Sequence, residues 1–118
     1  VEQVRTNISP FDPLSEDEAA LLQKAAVIIR GKTAIDCTGC AYCVSHCPKQ
    51  IPIPQYIKLY NEIIRYPSDD WKIVPTYKQI ALSHGSASEC IGCHSCEKHC
   101  PQNLDIAERM TNIAEMFE

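Results

Sequence analysis

Cys37-Thr38-Gly39-Cys40-Ala41-Tyr42-Cys43-Val44-Ser45-His46-Cys47-Pro48 is followed, at a constant offset of 53 residues (90 − 37), by Cys90-Ile91-Gly92-Cys93-His94-Ser95-Cys96-Glu97-Lys98-His99-Cys100-Pro101. A glycine, a histidine and the closing proline match along with the four cysteines. These two runs hold all eight cysteines of the 118-residue chain. A disulfide scaffold of an exported protein spreads its cysteines to staple distant loops, and these are confined to two short clusters. The N-terminal stretch Val1-Glu2-Gln3-Val4-Arg5 lacks the apolar core of an export signal, and no later run is long enough to span a bilayer. The expectation is a reducing compartment, the cytoplasm.

Each run reads C-x2-C-x2-C-x3-C-P, a pattern used to bind iron–sulfur clusters. Three cysteines at spacing three let a tight loop wrap a cubane and offer it three thiolates. The intervening N–H groups can point at the sulfurs and offset their charge. Gly39 and Gly92 lie inside the loops, where close backbone approach favours a residue without a side chain. If residues 43–47 form a helical turn, Cys47 rises about 6 Å beyond Cys43 and points away from the cluster its neighbours hold. In two-cluster ferredoxins that fourth cysteine ligates the other cluster. The expected ligand sets for two [4Fe–4S] clusters are therefore Cys37, Cys40, Cys43 and Cys100 for one, and Cys90, Cys93, Cys96 and Cys47 for the other. Pro48 and Pro101 turn the chain away after each crossing ligand. Such crossing couples cluster binding to folding. Zinc is the competing metal, since paired C-x2-C units bind it. It leaves the third cysteine of each loop and the shared x3-C-P ending unexplained.

Formal net charge is −4 with acids and bases interspersed, which excludes the basic stripe of a nucleic-acid binder. Two oxidised cubanes on eight thiolates add roughly four further negative charges, and an acidic carrier meets a basic patch on its partner.

Outward from the motifs the pattern is helical. Residues 1–14 read as a loop-rich lead-in interrupted by Pro10 and Pro13. Ser15 and Glu18 match a capping box opening a helix over 15–30, with Leu22, Ala25, Ala26 and Ile29 on one apolar face and Gly31 as its C-terminal cap. That face is expected to dock on something outside the motif region. After the first run, Pro52 and Pro54 suit a helix start. Tyr56, Ile57, Tyr60, Ile63 and Ile64 then fall at helical spacing as core, until Pro67 ends the run. Ser68-Asp69-Asp70 reads as a turn, and Thr76 to His84 as a short helix with Tyr77, Ile80 and Ala81 on one side and Gly85 closing it. Ile106, Met110, Ile113, Ala114 and Phe117 define a last helix, capped by Asp105 with Glu108. No alternating strand pattern occurs, so the expected class is all-α.

Among the remaining polar residues, His46 and His99 precede the fourth cysteines. They are candidates for N–H···S contacts or cluster-facing protonation sites, against the simpler reading of surface helix residues. His84 and His94 read as exposed, and Tyr42 as packing over a cluster to limit water. No nucleophile–base set and no glycine-rich phosphate loop is present, so no catalytic residue is assigned and the chain alone is not expected to be an enzyme.

Between the runs lie 42 residues of helical pattern, more than in small ferredoxins. This resembles the α-helical ferredoxin fold of iron–sulfur subunits in respiratory and flavin-linked oxidoreductases. Val1-Glu2-Gln3-Val4-Arg5-Thr6-Asn7-Ile8, with Pro13-Leu14-Ser15-Glu16-Asp17-Glu18, resembles the segment closing the barrel of aldo/keto reductases. Cys37-Thr38-Gly39-Cys40 through Ile51-Pro52-Ile53-Pro54, then Lys58-Leu59-Tyr60-Asn61, resembles the dicluster domain appended to iron–sulfur members of that family. The resemblance implies a C-terminal fragment of a larger oxidoreductase. Its lead-in would span residues 1–34, and its α-helical ferredoxin-like dicluster domain residues 35–118. The tyrosine, lysine, aspartate and histidine that reduce carbonyls would lie upstream. The expected function is one-electron relay to that barrel or to a redox partner protein, with no nucleic acid and no membrane span. The alternative is a structural or docking module whose clusters, or zinc ions, only stabilise the fold.

Overall fold

The computed structural model of the chain describes residues 2–8 and 13–118. Val1 and the break expected at Pro10 lie outside the described residues. The chain divides into two compact units, Val1–Gly31 and Lys32–Glu118. Among the described residues there is no strand, and the fold is all-α, as the sequence pattern requires. No helix among them is long and apolar enough to cross a membrane.

The first unit contains α1 (Glu2–Ile8) and α2 (Glu16–Arg30). The loop-rich reading of residues 1–14 missed α1. Residues 2–8 contain no helix breaker, because both prolines lie downstream of them. Glu2 in the first turn and Arg5 in the last suit the helix dipole. α2 begins where the capping box places it: the Glu18 N–H donates to the Ser15 hydroxyl at 3.3 Å, and the Ser15 N–H to the Glu18 carboxylate at 2.9 Å. These contacts hold the Glu18 carboxyl below its ordinary range. Gly31 caps the helix with φ −63°, so it does not use the left-handed region that makes glycine common there. No residue of α2 is buried, and Leu21, Leu22, Val27 and Ile28 are largely exposed.

The second unit packs α3 (Ile53–Arg65) against α4 (Asp70–Ala81) and α5 (Ile106–Phe117), with 3-10 turns at Val44–His46, Pro67–Asp69, Ala87–Glu89 and Glu97–His99. α3 starts after Pro52 and ends before Pro67, as the prolines dictate. Ile53, Tyr56, Ile57, Tyr77, Ile106, Met110 and Ile113 are fully buried, and the cysteine loops close over this core. Ile64, expected inside, is exposed. Leu59 is buried in its place because it faces α4, beside Ile73 and Ile80. α4 begins at Asp70, six residues before the expected start at Thr76 (76 − 70), and ends at Ala81, short of His84. It runs through Pro75, which lacks the N–H that would bond the Trp71 carbonyl. Trp71 is exposed, so water can serve that carbonyl and the helix tolerates the break.

Both approaches to the cysteine loops are pinned by side chains from these helices. On α3, the Asn61 amide donates to the Ile35 carbonyl at 2.8 Å and accepts from the Ile35 N–H at 2.9 Å, just before Cys37. Ahead of Cys90, the Tyr56 hydroxyl donates to the Gly85 carbonyl at 3.0 Å, and the Tyr77 hydroxyl accepts from the Ala87 N–H at 2.9 Å while donating to Glu118. Burial pushes the Tyr56 phenol up to about 12, and burial with the Glu118 bond raises Tyr77 as well. Tyr77 also stacks on Phe117, centroid to centroid 4.8 Å. Gly85 admits no side chain, because a Cβ there would lie 2.3 Å from the Lys49 carbonyl oxygen. That contact brings the exit of the first cysteine run against the entrance of the second.

Ile35 is only 2 % exposed, so Asn61→Ala strands its buried N–H, while its carbonyl keeps the Cys37 N–H at 2.8 Å. It is expected to cost about 2 kcal/mol, read as a lowered denaturation midpoint of the cluster-loaded protein, with no change in the denaturant slope.

Candidate metal centre

The two cysteine runs adopt the same backbone conformation, position for position. In the first, Gly39 and Ala41 take the left-handed region at φ 73° and 64°; in the second, Gly92 and His94 do so at 63° and 54°. A Cβ on either glycine would meet no protein atom within 4 Å. The reversed backbone, more than crowding by the protein, is what favours glycine here. Ala41 and His94 adopt it despite a steric cost of about 1–2 kcal/mol each, a strain kept where a loop must bend sharply. A single 3-10 turn follows in each copy. His46 and His99 N–H groups donate to Cys43 and Cys96 carbonyls at 3.3 Å, and Cys47 and Cys100 N–H groups to Val44 and Glu97 carbonyls at 3.1 and 3.0 Å. Gln50 and Asn103, again left-handed, turn the chain toward α3 and α5.

This geometry sends the fourth cysteine of each run to the other loop. Cys37, Cys40, Cys43 and Cys100 line one cavity, walled by Ala41, Pro54, Leu104 and Ile106. Cys90, Cys93, Cys96 and Cys47 line a second, walled by Ile53, Ile106 and Met110. The two are alike in their thiols, as duplicated sites should be, and Ile106 forms part of both. All eight cysteines are free thiols: Cys43 and Cys96 are buried, while Cys40 and Cys93 face outward. Among the described residues, no three His, Cys, Asp or Glu side chains converge on a point for one metal ion. Each set of four thiols lines a cavity instead. Among the described residues the N–H groups of 38–42 and 91–95 donate to no protein acceptor, so each loop also presents donors to a negatively charged occupant.

Burial pushes the Cys43 thiol up to about 11, and the adjacent Cys37, Cys40 and Cys100 reinforce the shift. Cys96 is pushed up to about 11 by burial, then by the Glu97 carboxylate. Glu97 is the polar residue the sequence reading passed over. Its Oε1 accepts from the Ala107 N–H at 2.9 Å and its Oε2 pairs with His94 Nδ1 at 2.8 Å. It thus serves as the N-terminal cap of α5, the role assigned to Asp105 and Glu108, and Asp105 makes no capping bond. Those hydrogen bonds, led by the one from Ala107, hold the Glu97 carboxyl below its ordinary range.

His46 and His99 are exposed, as the surface reading has it, but they also stack on each other. Their ring centroids lie 3.4 Å apart and the planes differ by 7°. They are equivalent positions of the two runs, and that equivalence was the one available signal that they meet. His84 and His94 are exposed. Tyr42 does not cover a cavity: it is 64 % exposed and lines neither of them.

A family model described as a 4Fe–4S dicluster domain matches residues 36–105. The chain belongs to the 4Fe–4S dicluster domain family. No curated protein and no solved structure matches it. Within this dicluster domain the matched residues take in both loops, α3 and α4, while α2 and the Ile106 that borders both cavities lie outside them.

A buried thiol held near 11 must surrender its proton before its sulfur can bind metal. Anaerobic loading with iron and sulfide should therefore release protons and run faster at about pH 8.5 than at about pH 6.5. Visible charge-transfer absorption against time, with a pH indicator for the protons, checks both.

Proposed function

We propose that the chain is an electron-transfer module for two [4Fe–4S] clusters, one on Cys37, Cys40, Cys43 and Cys100, the other on Cys90, Cys93, Cys96 and Cys47. The observation that carries this reading is the pair of equivalent four-thiol cavities sharing the Ile106 side chain as a common wall. One such site would staple a fold; two, one side chain apart, suit relay. When bound, a [4Fe–4S] cluster supplies one-electron chemistry over a wide range of potentials. The protein's part is to hold and insulate. Cys43 and Cys96 anchor the inner face of each site, apolar walls exclude water, and the outward thiols Cys40 and Cys93 lie closest to any partner.

The resemblance to iron–sulfur aldo/keto reductases supports a finer reading. The chain is then the C-terminal part of a larger oxidoreductase, with residues 1–34 closing the barrel and residues 35–118 forming the cluster domain. The module serves that barrel, or a separate redox partner protein, in the cytoplasm, and the carbonyl chemistry is done upstream. A second reading is favoured by the exposed apolar side chains of α2. In it the chain is a docking module, α2 covers an apolar surface of its partner, and the clusters are structural.

Potentiometry on anaerobically loaded protein separates the two. The relay reading expects two clusters by iron and sulfide count, both cycling reversibly by one electron at low potential. The docking reading gains if neither cycles and a cluster-free, folded variant still supports its partner's activity. Ligation across the repeat is checked by exchanging the fourth cysteines. Cys100→Ser should alter the EPR signal of the cluster on the first loop, Cys47→Ser that of the second, each leaving the other signal unchanged.

A further inference from the structure

Each cavity takes a sulfur from both cysteine runs, so the runs must be held to each other. Among the described residues, no hydrogen bond or ion pair joins residues 37–48 to residues 90–101. The rings of His46 and His99 do join them, with centroids 3.4 Å apart and planes that differ by 7°. We infer that His46 and His99 are positioning residues, whose stack clasps the two runs and presents Cys47 and Cys100 to the opposite sites before a cluster is bound. This deepens the proposed function and rests on its crossed ligand sets.

Each ring sits one residue before a crossing cysteine, in the same 3-10 turn. The His46 N–H donates to the Cys43 carbonyl at 3.3 Å, and the Cys47 N–H to the Val44 carbonyl at 3.1 Å. The second run repeats both bonds, from His99 to Cys96 at 3.3 Å and from Cys100 to Glu97 at 3.0 Å. A turn bonded in this way moves as one piece, so fixing the ring fixes where the next sulfur can reach. Both histidines are exposed, and among the described residues neither ring makes a hydrogen bond or ion pair. Burial does not force the rings together, and no other polar partner holds them. Nor are they needed as ligands, because four cysteines already line each cavity. The contact of Gly85 with the Lys49 carbonyl sets the exit of the first run against the approach to the second. It does not reach the exit of the second run at Cys100, and the stack does. A sulfur on an untethered turn has to be ordered as the cluster binds, and ordering costs entropy. The stack meets that cost beforehand, as preorganisation does in any binding site.

A clasp leaves a signature that a local effect lacks. His99 adjoins Cys100 alone, yet releasing the stack frees both turns. One substitution on either side should therefore disturb both sites.

Anaerobic loading of the full chain with iron and sulfide is sampled over time by EPR of dithionite-reduced aliquots. Cys100→Ser and Cys47→Ser assign the two signals to their sites. His46→Ala and His99→Ala should each slow the loading of both sites by about fivefold, the scale of one aromatic pair. The double variant should be no slower than either single one, since the second substitution finds no stack to break. The pair His46→Phe with His99→Phe keeps two stacked rings and should restore the rate. Lys98→Ala, an exposed change in the same turn, should leave it unaltered. Unchanged loading, slowing confined to the site of the adjacent cysteine, additive effects of the two Ala variants, or no recovery with the Phe pair would each overturn the clasp while crossed ligation stands. If Cys100→Ser and Cys47→Ser each alter the signal of their own run instead, crossed ligation itself falls and the clasp goes with it.

Discussion

Neither half of the duplicated sequence completes a four-thiol cavity alone, and the rest of the second unit answers to that requirement. Three sulfurs come from one loop, and the fourth arrives on the 3-10 turn of the other. The loops must therefore lie close together, in register, with their exits crossing. The left-handed residues at equivalent positions produce two loops of one shape. The contact of Gly85 with Lys49 then sets one loop against the other. Because those conformations cost energy at Ala41 and His94, the helices beneath must over-determine them. Asn61, Tyr56 and Tyr77 do so by binding the backbone just ahead of each run.

The core and the cavities are one construction. Ile53 and Ile106 begin equivalent helices and are fully buried, and Ile106 also divides the cavities. Met110 packs in the core and walls the second cavity. Glu97 joins helix and loop more directly, since one carboxylate accepts from the Ala107 N–H of α5 and pairs with His94 in the second loop.

Much of this was legible in the sequence because it rests on local rules. The duplicated run fixed which residues are equivalent, prolines at 52 and 67 bounded α3, and Ser15 with Glu18 opened α2. What escaped was set by tertiary contact or by tolerance of a rule. Pro75 normally stops a helix, yet α4 carries it where Trp71, whose carbonyl loses its partner, is exposed. Asp105 beside Glu108 looked like a cap, but the bond came from Glu97, which only the crossing of the loops brings near. The stack of His46 on His99 has the same origin. Tyr42 was read as a lid because of its neighbour Cys43, and sequence adjacency says nothing about the side to which a loop residue turns.

The central physical claim is that each loop lends its last sulfur to the site of the other. A crystal structure of anaerobically loaded protein, phased on the anomalous scattering of iron, tests it most directly. The account predicts two four-iron peaks, with Cys100 Sγ bonded to the one beside Cys37 and Cys47 Sγ to the one beside Cys90. A single zinc peak at each loop, or four cysteines of one run closing on one metal centre, would contradict it.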